Sequence, residues 1–165
     1  MKILGIDPGI ATTGYGVIDV LGNRFELVDY GVFKTSPEDS LSRRLMHLHE
    51  QLSSYIGIHS PQHVSVEELF FNTNAKTALI VGQARGVILL TAEKLGLEAT
   101  SYTPLQVKSA VCGYGRADKK QVQSMVQRLL NLKAIPKPDD AADALGLAIC
   151  HAHSYKVNSY AQTRR

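Results

Sequence analysis

The sequence predicts an α/β fold. The expected core is a mixed five-stranded sheet, three antiparallel strands first and then strands alternating with helices, with helices on both faces. Two observations carry this. Three strand-like segments follow one another at the start of the chain, separated only by turn residues. Beyond them, short apolar runs alternate with helical segments, as they do when helices cover a sheet on its faces.

Each element has its own signals. "KILGI" is a short run of strand formers bounded by Pro8 and Gly9, and reads as a buried strand. "TGYGVIDV" is the second strand, Gly22 and Asn23 make a turn, and "RFELVDYGVF" alternates as the third. "SPEDSLSRRLMHLHEQLSSYI" carries helix signals: Ser36 as cap, Pro37 at the first helical position, and Glu38 and Asp39 near the positive end of the dipole. "HVSVEEL" is the fourth strand. "NTNAKTALIVGQARGVILLTAEKLG" is a long helix, in which Gly82 and Gly86 are expected to let another backbone approach closely. "EATSY" is the fifth strand, and "TPLQVKSAV" a short helix capped by Thr103 with Pro104 at its start. "CGYGRA" is a loop, followed by helices at "DKKQVQSMVQRLL" and "DDAADALGLAICHAH". Residues 156–165 lack periodicity and read as a frayed polar tail, leaving one domain at 1–155.

Composition narrows the function classes. At 165 residues, 44% hydrophobic and 20% charged, the chain buries enough surface to fold without staples. A formal net charge of +3 permits nucleic acid as a partner without requiring it. Cys112 and Cys150 form no C-x-x-C pair, which excludes a disulfide framework and fits reduced thiols in the cytoplasm. The chain enters strand-like sequence directly, without the layout of a signal peptide, and carries no apolar stretch long enough to cross a bilayer.

Acidic residues stand at the edges of apolar elements. Asp7 ends the first strand, Glu67 and Glu68 end the fourth, and Asp139, Asp140 and Asp143 begin the last helix. A buried, ionised carboxylate is costly unless it is paired, protonated or bound to a metal. Asp140 and Asp143 are three apart, so they project from one helix face about 60° apart. No basic residue follows on that helix before Lys156. A helix cap and the dipole account for Asp139 and Asp140, but the dipole fades before Asp143. Asp-Pro-Gly is also ordinary turn chemistry, and a charged strand end needs no ligand. Taken together, hard oxygen ligands with no His or Cys among them suit Mg²⁺ or Mn²⁺. Two such ions, about 3.5–4 Å apart, would serve in-line attack on a phosphodiester.

Four stretches, "GIDPGIATTGYGVI", "VSVEELFFNTNAKTALIVGQARGVILL", "YTPLQVKSAVCGYGRADKKQVQSMV" and "DDAADALGLAICHAH", together resemble the bacterial crossover junction endodeoxyribonucleases of the RuvC family, which resolve Holliday junctions. The resemblance runs from Met1 to about His153 and implies a ribonuclease H-like fold. It also implies a four-carboxylate site that binds two Mg²⁺ ions, with Mn²⁺ as a substitute. The family's pattern selects Asp7, Glu67, Asp140 and Asp143, and leaves Glu68 unselected and Asp139 as the helix cap. It places an aromatic that stacks on a base at Phe70, with Phe71 beside it, and basic DNA contacts at Lys108 and Lys119, flanked by Arg116 and Lys120. It further implies a homodimer that nicks opposing strands of four-way junction DNA, handover from the RuvA–RuvB branch-migration complex, and work at the nucleoid in recombination and repair. Two rivals remain at this point. An actin-like ATPase or sugar-kinase fragment has a similar opening loop but needs two such domains and no Asp pair on a final helix. A non-catalytic junction binder gains nothing from carboxylates facing phosphate.

Overall fold

The structure, a computed structural model, describes the backbone of residues 1–69 and 75–163 and the side chains of residues 1–69 and 77–155. In chain order the elements are β1 (Lys2–Asp7), β2 (Thr12–Leu21), β3 (Arg24–Lys34), α1 (Leu41–His59), β4 (His63–Glu67), α2 (Ala75–Lys94), β5 (Ala99–Tyr102), α3 (Pro104–Cys112), α4 (Lys119–Leu129) and α5 (Asp139–Thr163). The sheet order is β3-β2-β1-β4-β5. The first three strands pair antiparallel, and β1, β4 and β5 pair parallel, so the expected mixed sheet is present.

Strand alternation sorts the side chains between two cores. Leu4, Ile6, Val17, Val64 and Val66 meet α1 and α2 through Leu48, Leu52, Ile56, Ala84 and Ile88. On the other face Ile3, Ile18 and Val20 meet α5 through Leu145 and Ile149, with α3 and α4 closing the layer through Val107, Val111, Val122 and Val126. Helices therefore cover both faces. α5 is buried almost all round from Ala141 to Ala152, because it lies between the sheet and two other helices.

Glycines set how closely α5 approaches. A Cβ on Gly5 would collide with the carbonyl oxygen of Ala144, and one on Gly14 with that of Asp140. On Gly16 it would stand 2.6 Å from Cδ2 of Leu145. Gly5 and Gly16 are direct partners across β1 and β2, and Gly14 pairs with Asp7. The helix thus rests on backbone along a strip without side chains.

Several expectations need correction. α1 begins at Leu41, not at Pro37: Ser40 is the cap, accepting from Arg43 N. Ser36 instead closes a local turn, its Oγ accepting from Glu38 N at 3.2 Å and its carbonyl from Asp39 N at 3.3 Å, and the helix starts afresh after it. β4 stops at Glu67 and leaves Glu68 outside the strand. Asp139 is the first residue of α5 rather than its cap; the carbonyl of Pro138 accepts the first helical bonds, from Ala141 N and Ala142 N. α5 also runs on through Thr163, where a frayed polar tail was expected. Residues 156–163 contain no Gly or Pro, and extending a formed helix costs little. The expected close approach at Gly82 and Gly86 is absent among the described residues: the nearest atom to a Cβ on Gly82 is Leu69 Cδ1 at 3.9 Å, and Gly86 faces open space. The close approach occurs at the strand glycines instead.

Candidate active site

Alternation along β1 turns Ile3, Gly5 and Asp7 toward α5, and along β4 it turns His63, Ser65 and Glu67 the same way. β1 and β4 pair in parallel register with Ile6 opposite Val66, so Asp7 and Glu67 are the next residues along and end side by side. Their carboxyls hydrogen-bond to each other. Glu68 faces solvent, and its backbone N–H donates to Tyr102 O at 2.8 Å. Pairing geometry thus selects Glu67 of the two.

The contact at Gly14 sets the start of α5 directly over this strand end, bringing in Asp140 and Asp143. Burial, and then the charges of Glu67, Asp143 and Asp140, push Asp7 up to about 8. Burial and Asp143 raise Glu67, against a lowering by its Asp7 hydrogen bond and Lys119. Burial also raises Asp143, while Lys119 lowers it. Burial and mutual repulsion thus disfavour full ionisation of the cluster, most strongly at Asp7.

One basic partner comes from elsewhere in the chain. Lys119 Nζ on α4 lies 3.1 Å from Asp143 Oδ2 and 3.5 Å from Asp139 Oδ2. Asp139 also accepts from Lys137 Nζ at 2.7 Å, which holds its carboxyl below the usual range. Asp139 is thus paired outside the cluster, while the other four carboxylates converge.

Second contacts hold the strand ends. Arg85 on α2 donates from Nε to the carbonyl oxygen of Glu67 at 3.1 Å and from Nη2 to Ser101 Oγ at 2.6 Å. On the other side, the turn after Asp7 is tied by Thr13 Oγ1 donating to Gly9 O at 2.5 Å and by the Thr35 hydroxyl donating to Ile10 O. Arg44 Nε donates to Thr35 Oγ1 at 2.9 Å.

A cleft of about 260 Å³ opens beside the carboxylates, lined by Glu67, Asp143, Lys108 and Lys119 over apolar Val107 and Val122. Lys108 and Lys119 are thus brought to the site. Lys120 lies on the opposite flank of α4, in a separate cleft, and Arg116 is exposed on the preceding loop. Phe70 and Phe71 lie outside the described residues. Among the described residues, no group of three or more His, Cys, Asp or Glu side chains is already arranged to hold a metal ion. The donor chemistry nevertheless fits a hard divalent cation: oxygen ligands only, converging from three elements, with Asp7 raised by burial and then by its neighbours' charge.

A family model described as crossover junction endodeoxyribonuclease RuvC matches residues 3–151. The chain belongs to the RuvC family. The RuvC protein of Desulfitobacterium hafniense (strain DSM 10664 / DCB-2) is 58% identical over 157 residues, which is 95% of each chain. A solved Thermus thermophilus RuvC structure superposes with a TM-score of 0.90 at 37% identity, covering 96% of this chain and 97% of that one. A second T. thermophilus RuvC structure, in complex with Holliday junction substrate, gives 0.88 at 35% identity, over 95% and 96%. The ribonuclease H-like α/β fold expected from the motifs is borne out. Membership removes the ATPase rival, since RuvC proteins are endonucleases.

Sequence reasoning missed Gly5, Gly14 and Gly16, Arg85, and the pairing of Lys119 with Asp143. The glycines had a legible signal, since glycine inside a strand marks close backbone approach. The two cations depend on contacts between segments distant in the chain, which local patterns do not reveal.

Proposed function

We propose that this chain resolves four-way DNA junctions by hydrolysing one phosphodiester bond in each of two opposing strands. The observation that carries the reading is the convergence of Asp7, Glu67, Asp140 and Asp143 on one face of the sheet, with Asp7 pushed up to about 8 by burial and its neighbours' charge. These four residues would hold two Mg²⁺ ions, with Mn²⁺ able to substitute. Such ions supply the positive charge that lets the carboxylates ionise together, activate water and stabilise charge on phosphate oxygens. The remaining work falls to the chain. Lys108 and Lys119 line the cleft beside the carboxylates and bind phosphates of the strand to be cut. Lys119 shields Asp143 until DNA enters, then exchanges that contact for phosphate. Arg85 fixes the main chain of Glu67, so the carboxylate is held from behind. The products carry a 5′-phosphate and a 3′-hydroxyl.

Phe70 and Phe71 follow the catalytic strand and are proposed to stack on a base near the crossover, a contact worth about 1–3 kcal/mol. A homodimer matches the near two-fold symmetry of the junction. Exposed Leu79 and Leu90 on α2 support burial of that helix by a second copy. By family resemblance the dimer receives junctions from RuvA–RuvB and acts in the cytoplasm at the nucleoid. Among the described residues, no helix is long and apolar enough to cross a membrane.

The test compares a synthetic four-way junction with a linear duplex of the same sequence, with and without Mg²⁺. The expected outcome is paired, symmetric nicks in the junction alone and only with the ion. Equal cutting of the linear duplex would overturn the selectivity. Cutting at full rate in chelator would overturn the metal requirement.

A further inference from the structure

Helix α4 divides two clefts. Lys119 and Val122 face the carboxylates, whereas Lys120, Gln121, Ser124 and Arg128 face the other flank. There a cleft of about 380 Å³ opens between α4, the end of α3 and the loop before α4, with Tyr114 as part of its wall. Among the described residues, neither Lys120 nor Arg128 is paired with a carboxylate. Asp118, the acidic residue in the lining, is engaged as the α4 cap and accepts from Gln121 N at 2.9 Å. Tyr114 is 48% exposed, a large aromatic surface left open beside two free cations. A cationic groove with an aromatic platform is suited to a nucleic acid strand, with phosphates on the cations and a base on the ring.

We propose that this second cleft binds the backbone of the junction away from the scissile bond, with Lys120 and Arg128 on phosphates and Tyr114 stacked on a base. The proposal rests on the reading of the chain as a junction nuclease and extends its footprint across α4. A helix with its side chains is about 10–12 Å across, and one strand advances about 3.4 Å per phosphate. The phosphates held here therefore lie about two to three steps from the bond that is cut. Lys119 and Lys120, adjacent in sequence, then serve different phosphates.

The test uses the full chain, four-way junctions in divalent-free buffer, and single neutral methylphosphonate substitutions scanned over six positions on each side of the scissile bond. Wild type should lose affinity for substitutions about two to three steps away. In Lys120→Gln/Arg128→Gln those same substitutions should cost nothing further, while others still do. The slope of log affinity against log salt should fall in magnitude by about 1.8, as for two lost phosphate contacts. A charge-matched control, Arg24→Gln/Lys94→Gln, should keep the wild-type slope. Tyr114→Ala should weaken binding about 5- to 100-fold, with Tyr114→Phe retaining it. Losses from the double variant and the methylphosphonates that simply add at every position would overturn the proposal. So would a change in salt slope no larger than the control's. If wild type cuts junctions normally in Mg²⁺ while showing no such coupling, the second cleft alone falls. If it neither binds nor cuts them, the nuclease reading falls.

Discussion

The two ends of β4, where they meet the start and the middle of α5, carry titratable groups of opposite kinds. At one end, Glu67 closes β4 beneath Asp140 and Asp143. At the other, His63 opens β4 and its ring packs against His151 of α5, with centroids 5.0 Å apart. The separation is about 13 Å along the strand and about 16 Å along the helix. His151 is buried, with Nδ1 3.0 Å from the hydroxyl of Tyr102 and Nε2 without a hydrogen-bond partner among the described residues. Burial, then the neighbouring His63, lower it to about 4, so it is neutral. The imidazoles answer burial by giving up charge. The carboxylates at the far end converge in greater number, and a cation is the chemistry that lets all of them ionise. Burial alone thus does not mark a site; convergence of like charges does.

The sharpest way to break this comparison is to change one group at each end. Asp7→Asn should lower junction cutting by about 10²–10³-fold or more while leaving junction binding largely intact. His151→Phe should leave cutting within a few-fold of wild type. A cleavage assay and a binding assay on the same junction read both, and robust cutting by Asp7→Asn would remove Asp7 from the mechanism.

A second, smaller effect concerns placement. Gly5→Ala drives a methyl into the carbonyl of Ala144, an overpacking worth about 1–3 kcal/mol or more. For a chain of this size that is about 2–4 °C in Tm per kcal/mol. The carboxylates of α5 would shift, and a misplacement of about 1 Å can cost about 10²-fold in rate. Cutting should therefore fall more than binding. A variant with normal Tm and rate would show that the helix does not rest on this strip.

The smallest effect is in the pH dependence of thermal stability, and its sign differs between the ends. Asp7 is raised from 3.8 to about 8 on folding, so the folded protein without metal holds a proton that the unfolded chain has released. Stability is greatest below pH 4 on this account and falls as pH rises toward 8. Mg²⁺ should offset that loss and so raise Tm more at pH 8 than at pH 5. Asp7→Asn should remove most of the decline between pH 4 and pH 8. His151 is lowered from 6.5 to about 4, so its contribution is complete above pH 6.5 and is lost as pH falls through 4. His151→Phe should flatten the acid limb alone. Melting curves across pH, with and without Mg²⁺, check both; a Mg²⁺ effect equal at pH 5 and pH 8 would contradict the coupling at Asp7.

The sequence displayed the carboxylates far better than their setting. Asp7 could be found because it interrupts an apolar run, and Asp140 and Asp143 because helical spacing puts them on one face. Strand alternation left Glu67 and Glu68 open and the family pattern chose Glu67; the physical reason, the parallel pairing of β4 with β1, is a long-range fact. With both sheet faces covered, apolar residues point both ways and alternation loses its contrast. The start of α1 was misplaced because Ser36 and Ser40 both satisfy local capping chemistry, and tertiary packing decides between them. Lys119 was read as a DNA contact alone, since its pairing with Asp143 spans two helices. Gly82 and Gly86 drew attention through their cost in a helix, although the strand glycines were the ones under contact.

The contacts of Gly5 and Gly14 with the main chain of α5 have a further consequence. Backbone meeting backbone is a stop of fixed thickness, unlike a layer of side chains that can swell or shrink with substitution. A substitution at Ile149, away from those contacts, would then leave the height of Asp140 and Asp143 above Asp7 little changed. The spacing of the carboxylates is thereby uncoupled from the size of the side chains packed beside them.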